Sequence, residues 1–432
     1  MIATGSLPVH ARARYRGGAA LLLAAALLAA CSSSPATPTG AVKPMTVAWS
    51  SPGPSTVPSF YDPPSPLQPA APGTLIREEK VTGVPGFPAN ATLWRILYHS
   101  RSISGADIAV SGYIAVPTAP APSAGRPVIT WAHGTTGVAR ICAPSLFSRA
   151  SDASGIYLAP GLSQFIDAGY VVAATDYQGL GGPGVHPYLV GQAEGQNVLD
   201  AARAARHLSG AHASSRVVIV GHSQGGHAAL FAGQLARTYA PDLHIAGTVA
   251  IAPLTETSKA LPLAEQFGET DLLSMAGFAW SHTYTDLPMT SFFVAAAIPT
   301  IDKLMTTTCG NQIYTAMQSI PAAHVLAPGF ASNPALVAHL HQNDPGMVHT
   351  DSPILIAQGT ADTTVPDVLA ETFEADQCPA VHDNLALRLY PGATHGTVLT
   401  SASHDIISWI HDRFAGTPVA PGCSSTTVTT GQ

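Results

Sequence analysis

Short apolar runs alternate with amphipathic segments along most of the chain. A short, unbroken apolar run is typical of a strand that helices cover on both faces of a parallel sheet. Such runs lie at Val128–Trp131, Val171–Ala174, Val217–Val220 and Ile354–Ala357. Helical patterns separate them at Ala193–Leu208, Gly225–Tyr239, Val365–Ala375 and Ser401–Phe414. The repetition predicts an α/β fold, with a mostly parallel sheet and helices on both of its faces.

One long segment breaks this alternation. Leu254–Asp351 lies between two strand signals but is rich in Ala, Phe, Met and Leu and has a helical pattern. A structureless loop of about a hundred residues would be unusual in a compact domain. We therefore predict a helical insertion, residues 254–351, over a core of residues 74–253 and 352–418. Further strand signals in this core are Leu75–Val81, Leu93–His99, Ile108–Val116 and Leu385–Tyr390.

The N-terminus has the pattern of an export signal. Three arginines precede an apolar stretch, Ala19–Ala30, whose helical rise of about 18 Å is too short for a hydrocarbon core of roughly 30 Å. We expect residues 1–30 to be a signal peptide. Leu28–Cys31 resembles the lipobox of bacterial lipoproteins, which implies cleavage before Cys31 and a lipid anchor on its sulfur. The alternative is an ordinary cleaved signal with a coincidental cysteine.

The two ends of the mature chain are low in complexity. Eleven of the 37 prolines fall between Ser32 and Gly73, a density that excludes regular helix and central strand. Residues 31–73 are therefore predicted to be a tether, although the aromatic Phe60 and Tyr61 favour packing of its later part on the domain. Residues 419–432 are predicted to be a C-terminal tail.

Composition narrows the class of partner and cofactor. Only 10% of the residues are charged and the formal charge is −7, without a dense basic run, which argues against nucleic acid and against an anionic membrane surface. Five cysteines are an odd number. If Cys31 carries lipid, the four others predict two disulfides in an exported protein, with three possible connectivities. No His/Cys spacing is typical of zinc, and we expect neither metal nor cofactor.

The sharpest chemical signal is a G-x-S-x-G pattern around Ser223. The β-branched run Val217–Val220 precedes it and an Ala-rich helical pattern follows. A strand-to-helix turn this sharp leaves room only for glycine beside the nucleophile and projects the serine hydroxyl from the carboxyl edge of the sheet. The alternative is a purely structural turn.

A nucleophilic serine requires a base and a carboxylate that orients the base, here expected in the chain order Ser, acid, His. Asp362 follows the strand signal Ile354–Ala357, and His395 follows Leu385–Tyr390. Both therefore fall on loops at the carboxyl edge of the sheet. The alternatives are a helix-capping role for Asp362 and a structural role for His395, one of 18 histidines.

Two backbone N–H groups are needed to stabilise an oxyanion. Gln224, the residue after the nucleophile, is one expected donor. The loop His133–Gly137 after an earlier strand offers Thr135 as the second, with Thr136 as the alternative. The segment Asp176–Gly181 ends another strand and either lines the pocket or forms a capped turn.

Together these motifs resemble those of the α/β-hydrolase superfamily and, more narrowly, of the secretory lipases, which include the fungal lipase A type. The resemblance rests on H-G-T-T-G, D-Y-Q-G-L-G, G-H-S-Q-G-G, G-T-A-D and A-T-H-G, and covers about residues 59–423. It implies a triad of Ser223, Asp362 and His395, and hydrolysis of acylglycerols or other carboxylic esters under a helical cap. Fungal lipase A has a different residue pattern at the oxyanion donor that Thr135 would supply here. Family position implies the disulfides Cys142–Cys309 and Cys378–Cys423.

Other functions compete with ester hydrolysis. A serine peptidase or acyltransferase can use the same triad, and a non-catalytic envelope-binding protein is a third candidate. Apolar side chains in the insertion suit an acyl site, or else form the core of the insertion. They are Phe267, Leu272, Leu273, Met275, Phe278, Trp280, Phe292 and Phe293. The expected partners are an apolar ester and, through Cys31, a membrane, while the oligomeric state is not indicated.

Overall fold

The computed structural model describes residues 45–48, 55–148, 158–264 and 269–429, with the side chains of 262 and 263 excepted. The predicted signal peptide, Cys31 and Phe267 lie outside the described residues. Within the described part of the chain, no helix is both long and apolar enough to span a membrane.

The described residues form one eleven-stranded sheet, with the strand order β1-β2-β3-β4-β6-β5-β7-β8-β9-β10-β11. Strands β5 to β11 pair in parallel, and β2, β3 and β4 form an antiparallel extension that joins at β6. The strands are β1 Thr46–Ala48, β2 Leu75–Thr82, β3 Ala91–Arg101, β4 Asp107–Pro117, β5 Arg126–Ala132, β6 Val171–Thr175, β7 Ala213–His222, β8 His244–Ile251, β9 Ile354–Gly359, β10 Leu385–Tyr390 and β11 Cys423–Thr427. The predicted α/β fold with a mostly parallel sheet is confirmed.

Helices cover both faces of this sheet. The helices are α1 Leu162–Asp167, α2 Gly191–His207, α3 Gln224–Tyr239, α4 Thr257–Ala264, α5 Thr270–Thr283, α6 Ile298–Thr307, α7 Gly310–Gln318, α8 Pro334–Gln342, α9 Asp367–Thr372, α10 Cys378–Val381, α11 Val398–Ser401 and α12 Ser403–Ala415. A π-helical segment, Phe373–Gln377, joins α9 to α10. Apolar side chains of α2 and α3 pack on one face, and those of α1 and α12 pack on the other. Strand runs such as Val217–Val220 are unbroken because both faces are buried.

Strand order places a topological switch point beside β5. The chain passes from β5 to β6 on one side and returns to β7 on the other. Ligands of open α/β sheets bind at the carboxyl ends of the strands at such a point. The His133–Gly137 loop leaves β5 there, and Ser223 leaves β7. The fold therefore brings the two motifs to one edge.

The described residues between β8 and β9 form mainly helices. Helices α4 to α8 lie there and share an apolar core of their own with Tyr188, Leu189 and Val190. Met275, Phe278, Trp280, Phe292 and Phe293 belong to this core and are at most 2% exposed.

Two disulfides have the connectivity that family position implied. Cys142–Cys309 joins the segment after β5 to the start of α7, and Cys378–Cys423 joins α10 to β11. Strand β11 was not predicted, because its Ser- and Thr-rich sequence carries no apolar alternation. Its backbone pairs in parallel with β10, so part of the low-complexity tail completes the sheet.

In the segment before β2, the predicted packing of Tyr61 is confirmed, since its side chain is fully buried and its hydroxyl lies 2.8 Å from Ser145 Oγ.

Candidate active site

Ser223 occupies the one-residue turn between β7 and α3. Its φ of 59° and ψ of −121° lie outside the regions that are favourable for a side chain. The Ser223 N–H donates to Ile251 O of β8 at 2.9 Å, and its carbonyl accepts from His227 N at 3.1 Å. These bonds hold the strained residue at the N-terminus of α3, whose dipole favours negative charge.

The glycines beside Ser223 are required by close backbone approach. A Cβ at Gly221 would lie 1.9 Å from Gly225 O, and a Cβ at Gly225 would lie 2.0 Å from Ala132 O. Neither gap can admit a methyl group without moving a strand. The G-x-S-x-G pattern therefore has the structural cause that the sequence predicted.

Asp362 lies in the loop after β9, and its side chain is fully buried. One carboxylate oxygen accepts from the N–H groups of Thr364 and Val365 at 3.0 and 2.9 Å. The other accepts from Gln358 Nε2 at 3.1 Å and lies 2.8 Å from His395 Nδ1. A carboxylate that is surrounded by donors fits the tautomer of His395 with a proton on Nδ1, which leaves Nε2 free to accept a proton.

His395 lies on the loop after β10, and its side chain is one-fifth exposed. Its carbonyl accepts from His222 Nε2 at 3.0 Å, and the two rings lie 4.8 Å apart. Burial lowers the pKa of His222 to about 4, so this ring is neutral at physiological pH. His222 thus anchors the loop of His395. No role was predicted for His222 from the sequence, although it stands beside Ser223 in the motif.

Ser223 and His395 line one cavity of about 730 Å³. Its apolar lining comes from the core and from the helices between β8 and β9. These residues include Leu158, Leu254, Leu261, Leu272, Leu273, Val365, Leu369 and Leu399. Glu269 is the only Asp, Glu, Lys or Arg residue among the described residues that line the cavity. The cavity therefore fits an uncharged, apolar ligand.

Thr135 and Gln224 line this cavity together with Ser223. Gln224 begins α3, where backbone N–H groups have no partner within the helix. Thr136 is buried instead, and its carbonyl accepts from Gly310 N at 2.9 Å. This placement favours Thr135 over Thr136 as the second oxyanion donor.

Asp176 and several of the apolar side chains considered for an acyl site do not line the cavity. Asp176 does not line the cavity: it is buried, accepts from Ser111 Oγ and Ser145 N at 2.6 and 2.9 Å, and its pKa is raised to about 6 by burial. Of the apolar side chains proposed for an acyl site, Leu272 and Leu273 line the cavity. Met275, Phe278, Trp280, Phe292 and Phe293 do not line it and pack among the helices of the insertion, which was the alternative expectation for these side chains.

The described residues hold no group of three or more His, Cys, Asp or Glu side chains that is arranged to bind a metal ion. At the cavity, Ser223 supplies a hydroxyl group and His395 an imidazole that is paired with Asp362.

A family model and several known proteins match this chain. A secretory lipase family model matches residues 156–422. Lipase A of Moesziomyces aphidis is 27% identical over 194 residues, which are 44% of this chain and 41% of that protein. A probable inactive lipase of Mycobacterium tuberculosis is 25% identical over 83% of this chain and 82% of its own length. The closed state of Candida antarctica lipase A superposes with a TM-score of 0.72 at 21% identity, over 84% of this chain and 87% of that one.

Proposed function

Because the chain belongs to the secretory lipase family, we propose that it hydrolyses apolar carboxylic esters, acylglycerols among them, through an acyl-enzyme on Ser223. One observation carries the proposal: the Asp362–His395 pair and the strained Ser223 meet at a single apolar cavity. One relative is described as a probable inactive lipase, so the proposal rests on this geometry rather than on family membership alone.

The proposed mechanism rests on the Asp362–His395 hydrogen bond and on the cavity that Ser223 and His395 share. His395, held by Asp362, takes the proton of Ser223 Oγ as the oxygen forms a bond to the ester carbonyl carbon. The N–H groups of Thr135 and Gln224 stabilise the oxyanion. His395 then protonates the leaving alcohol, and the C–O bond of the ester breaks. Water repeats the sequence on the acyl-enzyme, and the carboxylic acid leaves.

The cavity favours ester hydrolysis over the peptidase alternative. A peptidase that recognises a chain terminus needs charged side chains at the site, whereas Glu269 is the one charged residue of the described lining. We therefore expect esters to be cleaved much faster than anilides of the same acyl chain. Faster cleavage of anilides would favour the peptidase, and hydrolysis of soluble esters without triacylglycerol emulsions would restrict the activity to an esterase.

Acyl-chain selection should depend on the wall that Leu272 contributes. We expect Leu272→Trp to lower kcat/KM for long-chain p-nitrophenyl esters by at least about tenfold, because each methylene that loses its site forfeits about 0.8 kcal/mol. Turnover of p-nitrophenyl acetate should change little. Val337→Trp is the matched control, since Val337 lies on exposed α8 and does not line the cavity. An unchanged chain-length profile in Leu272→Trp would show that acyl chains bind elsewhere.

We also propose export and a lipid anchor at Cys31, a residue outside the described part of the chain. Two disulfides in the domain fit an oxidising compartment. Cells fed radiolabelled palmitate should label the wild type in the membrane fraction, and Cys31→Ser should lose both label and membrane attachment. Ser32→Ala is the control, and retention of label in Cys31→Ser would contradict the anchor.

A further inference from the structure

A buried carboxyl group, Glu194, lies behind the active-site turn and has no part in the mechanism above. It stands in the first turn of α2 and is 0% exposed. Burial raises its pKa. Burying a carboxyl group is costly unless its oxygens are used, and the contacts of this one lead to both expected oxyanion donors.

The first link runs to Gln224. Oε1 of Glu194 accepts from Gln224 Nε2 at 2.7 Å. The same Gln224 nitrogen lies 2.7 Å from His186 Nε2, while His186 Nδ1 lies 3.0 Å from the carbonyl of Gln178. Burial lowers the pKa of His186 to about 3, so Nδ1 of the neutral ring donates to that carbonyl and Nε2 accepts from Gln224. The side chain of Gln224 is therefore fixed on two sides.

The second link runs to Thr135. Oε1 of Glu194 also accepts from Leu189 N at 2.9 Å. Leu189 has a φ of 59°, a left-handed conformation that is unfavourable for leucine and needs such support. The preceding residue, Tyr188, places its hydroxyl 2.8 Å from Thr135 Oγ1. One carboxyl oxygen thus supports the Tyr188–Leu189 turn that braces the second donor residue.

The other oxygen faces His227. Oε2 of Glu194 lies 3.6 Å from His227 Nδ1, and His227 Nε2 donates to Asn343 O at 2.9 Å. Tyr177 and Tyr188 are the other titratable groups that the charge of Glu194 reaches. All of these groups are buried.

We propose that Glu194 is a positioning residue that holds both oxyanion donors, Gln224 and Thr135, in register with Ser223; this rests on the proposed ester hydrolysis. A carboxylate near a helix start also stabilises that helix. Helix stabilisation alone would change the stability of the protein but not its affinity for the transition state. The two roles of Glu194 can therefore be distinguished by measuring stability and transition-state affinity separately.

Glu194→Ala should lower kcat by about 100-fold, the lower end of the range for loss of one oxyanion donor, with KM for the same ester within about threefold. Binding of a hexyl trifluoromethyl ketone, which forms a tetrahedral adduct with the serine, should weaken by a similar factor. Binding of hexanamide, which forms no adduct, should not. Glu194→Gln keeps an oxygen for Leu189 and Gln224 and should restore kcat to within about threefold of the wild type.

Asp200→Ala is the matched control. Asp200 is a second fully buried carboxylate of α2, and it accepts from Ser100 Oγ and Tyr239 OH at 2.7 Å each and from Arg203 at 2.9 Å rather than from an oxyanion residue. The Asp200→Ala variant should be less stable than the wild type but should bind the trifluoromethyl ketone with unchanged affinity. Equal loss of ketone affinity in both variants would overturn the proposal, as would an undiminished Glu194→Ala.

If Glu194→Ala does not fold, Tyr188→Phe and Gln224→Leu cut the two links separately. Each should then weaken ketone binding more than hexanamide binding, and unchanged discrimination in both would overturn the proposal. A wild type that is inactive toward every ester would overturn the proposed function and this inference together. An active wild type with an undiminished Glu194→Ala would overturn the inference alone.

Discussion

Ser223→Ala should lower ester hydrolysis by on the order of 10⁴-fold or more, because the substitution removes the oxygen that attacks the ester carbonyl. The turn should keep its shape. Its bonds to Ile251 O and from His227 N are made by the backbone, and alanine is smaller than serine. We therefore expect an unchanged melting temperature within a few degrees and intact binding of hexanamide. The measurement is kcat for p-nitrophenyl esters beside thermal unfolding.

A fluorophosphonate probe gives an independent readout of the same residue. It should modify the wild type at Ser223 and should leave Ser223→Ala unmodified. Ser401→Ala, at the exposed end of α11 and outside the cavity lining, should be labelled and should turn over like the wild type. Undiminished hydrolysis by Ser223→Ala would refute the triad. Failure of the wild type to react would instead group this chain with its relative described as probably inactive.

Local patterns predicted that Ser223, Asp362 and His395 lie at the carboxyl edge of the sheet, because strand ends determine these positions. Strands β9 and β10 are adjacent and parallel, with Gly359 paired to Tyr390. The loops that follow therefore start side by side, and Asp362 meets His395 without any long-range information. Likewise, the glycines of the Ser223 turn report a steric demand that is visible in the sequence.

Features that depend on packing between distant segments could not be read this way. Glu194 and Gln224 are 30 positions apart, and Thr135 and Tyr188 are 53 apart, so no local spacing signals either bond. Helical periodicity marks Leu273 and Phe278 alike as apolar, yet only the former lines the cavity. Which apolar face meets the substrate depends on how the helices between β8 and β9 pack on one another.

Asp362→Asn tests the second half of the catalytic pair, with a change of one atom. Oδ1 can still accept from Thr364 and Val365, so the loop should keep its course. The new amide nitrogen would face His395 Nδ1 and Gln358 Nε2, which both lie within 3.1 Å of the present oxygen. An amide N–H group cannot accept a hydrogen bond from a protonated Nδ1. His395 must therefore adopt the tautomer in which Nδ1 has no proton and accepts a hydrogen bond from the amide. Nε2 then carries the proton and cannot act as the base.

We therefore expect Asp362→Asn to lower kcat on the order of 10⁴-fold with little change in KM. The lost acceptor should cost about 1–3 kcal/mol of stability, which thermal unfolding measures. Asp344→Asn is the control. Asp344 also accepts a backbone N–H, from Ser258 at 2.9 Å, and lies 3.3 Å from a histidine, His341, but it does not line the cavity. Equal losses of activity in the two variants would mean that Asp362 acts only through the fold. A loss confined to Asp362→Asn, at matched stability, would mean that the carboxylate sets the tautomer of His395.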